Sequence, residues 1–167
     1  MKVALFVEEN YEDLELWYPK IRLEEAGFKI VLLGPTAGQT YKGKHGYPCK
    51  ADVSFSEISK TKFDAVVIPG GFAPDRLRRS PEVLQVVKET FSQGKPVAFI
   101  CHGGWVPISA KILRGKKVTG AAAIRDDLEN AGGIWHDAPV VVDGNLISSR
   151  SPADLPFFAK EILAQLL

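Results

Sequence analysis

The stretch VAFICHGGWVPISA, residues 97–110, decides the fold. It begins as an apolar run of β-forming side chains, stops at Cys101-His102-Gly103-Gly104, and resumes with the look of a helix. A strand that passes through a glycine turn straight into a helix is the joint from which parallel α/β sheets are built. It also sets a thiol at the joint, whereas a cysteine that only fills space sits inside an apolar element.

Working outward, KVALFV, KIVLLG, FDAVVIPGG and PVAFI are apolar runs separated by helix-period segments over residues 14–26 and 80–93. Their near-continuous apolar character predicts strands buried on both faces of a mostly parallel sheet. Ser80-Pro81 and Ser151-Pro152 each place a capping hydroxyl before a proline at the first helical position, with Asp154 completing a box-like pattern. Pro19 should bend the first helix. Asp143-Gly144 between two β-rich runs reads as an edge hairpin, and GKHGYPCKADVSF as a small β excursion.

The 167 residues fit one domain, 1–167, with an ordinary 46% hydrophobic and 25% charged composition. Lys plus Arg total 21 against 20 acids, a net charge of +1 that supplies no field for nucleic acid or an anionic membrane. The short cluster Arg76, Arg78, Arg79 reads as a solvated helix face. The N-terminus carries no cleavage site and no spanning segment, so a cytoplasmic protein is expected. Cys49 and Cys101 are too few for a disulfide framework and lack neighbours at zinc spacing. No dinucleotide or P-loop fingerprint opens a helix, so neither cofactor nor metal is expected.

In an open parallel sheet the carboxyl ends of the strands carry the site. Three segments leave strands there: EENYED, PGGFAPD and CHGG. Cys101 faces the start of the following helix, an arrangement expected to lower its pKa and supply a thiolate nucleophile. The N–H groups of Gly70, Gly71 and His102 are candidates for an oxyanion hole, with Gly103 in the same turn. Glu12, Asp13 or Glu15 supplies a carboxylate near the thiol, and spacing does not choose among them. His102 serves equally as a base or as a packed residue, and Cys49, His45 and His136 read as structural or surface residues. A glutamine-amidotransferase reading fails because His136 is followed by Asp137 and Ala138 rather than a His-x-Glu pair.

The motifs KVALFVEENYEDLELWYP, KGKHGY, DAVVIPGGFAPDRLR, GKPVAFICHGGW, ISAKILRGKKVT, IRDDLENAGG and VVVDGNLISSRSPADLPFF, in this order, resemble the PfpI-type intracellular proteases of the ThiJ/PfpI superfamily. The resemblance spans nearly the whole chain. It implies a flavodoxin-like sandwich, Cys101 as elbow nucleophile, and Glu12 as the carboxylate touching its sulfur. It further implies homo-oligomers, from dimers to hexamers, with the site near a subunit interface where His102 pairs with an acid of the neighbour. That position is Asp75 here, one methylene shorter than the family's glutamate. Gly104 stands where a proline is common and Ala121 where some members carry tyrosine; both changes are expected to widen the site, with Trp105 as a new aromatic wall.

The activities implied are glyoxalase or deglycase chemistry on methylglyoxal and its adducts, and peptide or amide hydrolysis. Both start with thiolate attack on a carbonyl of a small molecule or peptide. Only the second depends on Asp75. A non-enzymatic alternative is a stress-response chaperone or redox sensor built on an oxidisable Cys101.

Overall fold

The computed structural model describes residues 1–167. The strands, in chain order, are β1 (Lys2–Phe6), β2 (Lys29–Gly34), β3 (Thr40–Lys42), β4 (Pro48–Lys50), β5 (Val53–Ser54), β6 (Ala65–Ile68), β7 (Val97–Ile100), β8 (Lys117–Val118), β9 (Ile134–Trp135), β10 (Val140–Asp143) and β11 (Leu146–Ser149). The helices are α1 (Asp13–Glu25), α2 (Ala73–Leu77), α3 (Pro81–Ser92), α4 (Trp105–Ser109), α5 (Arg125–Asn130) and α6 (Leu155–Leu166).

Seven strands form one sheet in the order β10-β11-β7-β6-β1-β2-β5. Every pairing is parallel except the β10–β11 hairpin, which turns at Gly144 and lies at the edge, as Asp143-Gly144 predicts. The central strands β6 and β7 are buried at every residue, which is why their sequences run apolar without alternation. The β excursion is the antiparallel pair β3–β4, outside the main sheet. β8 and β9 form a second small pair.

α1 continues through Pro19, which is buried on its inner face. One local expectation is corrected. Ser80 caps α3 by accepting the Val83 N–H, but Ser151 makes no cap at all. There the chain enters α6 through a turn of 3-10 helix, and Asp154 accepts three hydrogen bonds from Arg150, from its backbone N–H, Nε and one terminal guanidinium nitrogen. A charge-assisted fork outcompetes a serine hydroxyl for the same turn. No helix is long and apolar enough to cross a membrane.

The reversal of strand order lies between β6 and β1, with β7 beside them. The loops after β1, β6 and β7 therefore open at one sheet edge, where a bridge between Tyr11 and Gly71 ties two of them together.

Candidate active site

Cys101 is the first residue past β7 and takes φ 58, a left-handed backbone in a residue that has a Cβ. Such strain persists only where the surroundings over-determine it, and here the elbow of strand and turn does so. Ala121 donates its N–H to the Cys101 carbonyl, fixing the elbow from the far side. The sulfur sits 3.3 Å from His102 Nδ1. Residues adjacent in sequence rarely face each other; the positive φ is what turns the thiol back toward its neighbour's ring.

The carboxyl group beside that thiol belongs to Glu15, which corrects the expectation of Glu12. Glu15 is fully buried, and its Oε2 accepts the Gly70 N–H at 2.7 Å. Its Oε1 is buried with no hydrogen-bond partner. Glu12 instead caps α1 by accepting the Glu15 N–H at 3.0 Å, and its Oε1 lies 3.6 Å from His45 Nε2. A signal for this was available: Glu15 precedes Pro19 and Leu23 by one and two helical turns, so it shares the inward stripe of α1.

The electrostatics also differ from the expectation of an acidic thiol. Burial, followed by the neighbouring Glu15 charge, pushes Cys101 up to about 12. The helix that follows is only α4, preceded by one turn of 3-10 helix, so its terminal field is weak against desolvation. Burial likewise raises Glu15 to about 8, so at neutral pH this carboxyl keeps its proton. His102 is lowered by burial and by Lys44, which leaves the imidazole neutral and able to accept a proton.

Lys44 is a residue that pattern reading missed. Its charge acts on Glu15, Cys101 and His102 together. Asp13 brings it there: the two oxygens of that carboxylate accept the N–H groups of His45 and Tyr47, strapping the turn onto the start of α1. Glu12, Asp13 and His45 place three ligand-type atoms within 4.8 Å of one another, although both Asp13 oxygens are already engaged.

The glycines divide by role. Gly70 spends its N–H on Glu15 and is not a free oxyanion donor. Gly71, at φ 80, packs so closely on the 10–12 backbone that a Cβ there would lie 2.4 Å from the Glu12 nitrogen, and its own N–H has no acceptor in the chain. The His102 N–H is directed at the sulfur. Gly103 lets the turn pack on the end of β6, where a Cβ would meet the Ile68 carbonyl oxygen at 2.7 Å. Gly104 does not widen the site, because Ile124, Leu128 and Phe99 fill the space in which a side chain would stand.

Trp105 does form a wall. Its ring meets His102 edge to face at 5.2 Å, its Nε1 donates to Asp127 at 3.1 Å, and the Arg78 guanidinium lies over it at 5.5 Å. Asp75 is not brought to His102 within the chain. It is exposed on α2 and paired with Arg79 at 3.2 Å.

Comparison with known proteins places these features in a wider set. The model of the DJ-1/PfpI family matches residues 1–165. Deglycase PH1704 of Pyrococcus horikoshii is 47% identical over 163 residues, 98% of each chain. YraA of Bacillus subtilis, whose name proposes a cysteine protease, is 43% identical over 97% of this chain and 96% of its own. Among solved structures, Schizosaccharomyces pombe DJ-1 superposes with a TM-score of 0.92 at 29% identity, covering all of this chain and 92% of its own. A two-domain Anabaena variabilis protein with DJ-1/ThiJ/PfpI-like and ferritin-like domains gives 0.95 at 48% identity; the match takes in 99% of this chain and 48% of that one.

Proposed function

The chain belongs to the DJ-1/PfpI family, and from that premise we propose that it is a cofactor-independent enzyme whose Cys101 attacks carbonyl carbon, with glyoxalase or deglycase chemistry on methylglyoxal and its adducts as its main reaction. One observation carries the reading: a strained Cys101 holds its sulfur 3.3 Å from the His102 ring, with the buried Glu15 carboxyl beside it. The relatives named deglycase support it.

A thiol raised by burial does not rest as a thiolate, so attack is base-assisted. His102 Nδ1 takes the thiol proton as the sulfur bonds to the aldehyde carbon, and the carbonyl oxygen gains the electron pair. The Gly71 N–H, which has no acceptor in the chain, is the donor left for that oxygen. The oxygen takes the proton back from His102, giving a hemithioacetal. His102 then removes the hydrogen from the former aldehyde carbon and returns it to the adjacent carbon, while the hydroxyl proton passes to the neighbouring ketone oxygen, converting the hemithioacetal to the thioester of lactate. Water hydrolyses the thioester, releasing lactate and the thiol. Glu15 holds its proton against the sulfur and steadies each charge that forms there.

Peptide hydrolysis is the second reading, favoured by the name of YraA. It requires an acid for a leaving amine, and Asp75 serves only from a neighbouring copy. Assembly into a homo-oligomer, with the site beside the interface, is part of this reading.

The test is lactate formation from methylglyoxal, without added thiol, by wild type and Cys101→Ala. Turnover lost in the variant is expected. Equal turnover by both proteins would overturn the reading, and absence of turnover by either would move the assignment to peptide substrates.

A further inference from the structure

An open cleft of about 500 Å³ lies against Trp105 and is lined also by Arg78, Lys111, Arg114, Asp127 and Asn130. We propose that this cleft is an oxyanion site, holding the phosphate or carboxylate end of the ligand whose carbonyl meets Cys101. The proposal rests on the functional reading above, which it narrows to carbonyl compounds with a remote anionic group.

The cleft sets three cations, Arg78, Lys111 and Arg114, against one carboxylate. Arg22, Arg76, Arg79, Arg125 and Arg150 each form an ion pair with a carboxylate of the chain. Arg78 and Arg114, the two arginines of the cleft, form none. Arg78 spends only Nε, on Ser109 Oγ at 2.9 Å, which leaves both terminal nitrogens of its fork for a ligand. The single acid of the lining, Asp127, is occupied by the indole N–H of Trp105. Lys111, at φ 61, is the left-handed residue that closes α4 just past its Ala110 cap. The chain as a whole is nearly neutral, so this is a local concentration of positive charge and not a basic protein.

The cleft shares one residue with the surroundings of the thiol. Trp105 meets the His102 ring edge to face and also lines the cleft, while His102 reaches the sulfur. A ligand bonded to Cys101 extends past these two rings to the cations. Planar forks and an ammonium suit phosphate or carboxylate oxygens, and they discriminate against neutral ligands of equal size.

The experiment uses reversible thiohemiacetal formation, read as protection of Cys101 from alkylation by iodoacetamide. Glyceraldehyde 3-phosphate is compared with glyceraldehyde, and succinic semialdehyde with butanal. The charged member of a pair should protect at a concentration lower by about tenfold or more. That ratio should fall toward one in the Lys111→Gln/Arg114→Gln double variant. The first pair reports phosphate and the second carboxylate, and preference in either supports the site. Calorimetry of glycerol 3-phosphate with Cys101→Ala protein measures the cleft without chemistry. Binding there that the double variant loses sustains the cleft even where methylglyoxal is not turned over, so the functional reading fails alone. Turnover of methylglyoxal with no charge preference in protection, or a preference that survives the double variant, overturns the cleft and leaves the functional reading standing.

Discussion

Glu15 Oε2 accepts the Gly70 N–H at 2.7 Å, so one side chain of α1 fixes the loop after β6 and at the same time stands beside the Cys101 thiol. That double contact makes the two acids of the loop separable. Glu15→Gln keeps the shape and an acceptor for Gly70 but removes the proton donor; kcat/KM for methylglyoxal is expected to fall about 100-fold. Glu12→Ala removes a helix cap, costing about 1 kcal/mol of stability, with kcat/KM changed by less than about fivefold. Greater catalytic damage from the Glu12 variant would return the role to the residue that the family resemblance favours.

The pH dependence of activity follows from the same pair. His102 must be neutral, and its lowered pKa puts the acid limb of kcat/KM below the ordinary histidine value of 6.5. Glu15 must be protonated, which puts the alkaline limb near its raised value of about 8. A pH profile of wild type should be bell-shaped. In Glu15→Gln the alkaline limb should disappear, and its persistence would mean that another group sets it.

Stability carries the same titration with a definite sign. The Glu15 carboxyl is raised on folding from 4.5 to about 8, so between these values the native state binds more protons than the unfolded chain. Stability therefore falls as pH rises through this window and levels above it. Urea unfolding at pH 4.5 and pH 8.5 should show wild type losing on the order of a few kcal/mol relative to Glu15→Gln. A constant difference between the two proteins would show that the buried carboxyl does not hold its proton.

Gly71 and Gly38 share φ 80, but only Gly71 has backbone against the position of a Cβ. Gly38→Ala is expected to cost about 1 kcal/mol in urea unfolding, from backbone conformation alone. Gly71→Ala should cost more than about 3 kcal/mol, because the loops after β1 and β6 must separate. Equal costs would mean that the bridge between Tyr11 and Gly71 contributes little.

Mild peroxide distinguishes the two thiols by access. Cys49 is 2% exposed, whereas Cys101 is only partly buried at an open edge. Peptide mass spectrometry should find Cys101 oxidised first. Oxidation of Cys49 first would remove the basis for any redox-sensing role at the elbow.

The sequence by itself determined the sheet, the elbow and the family, because these depend on local information. Apolar runs such as residues 65–68 and 97–100 can only be doubly buried strands, and Cys-His-Gly-Gly marks the turn between strand and helix. Trp105 as a wall was legible for the same reason. The tertiary structure decided which carboxyl meets the sulfur, since that depends on the rotation of α1 about its axis as its inner stripe packs on the sheet. It also decided the sign of the thiol's shift: a helix start in sequence carries no measure of burial, and desolvation outweighs the field of a short helix. Lys44 and Arg78 acquired their places only when a turn strapped by Asp13 and a face of α2 were folded against residues distant in the chain. Long-range packing of this kind leaves no period or spacing to read.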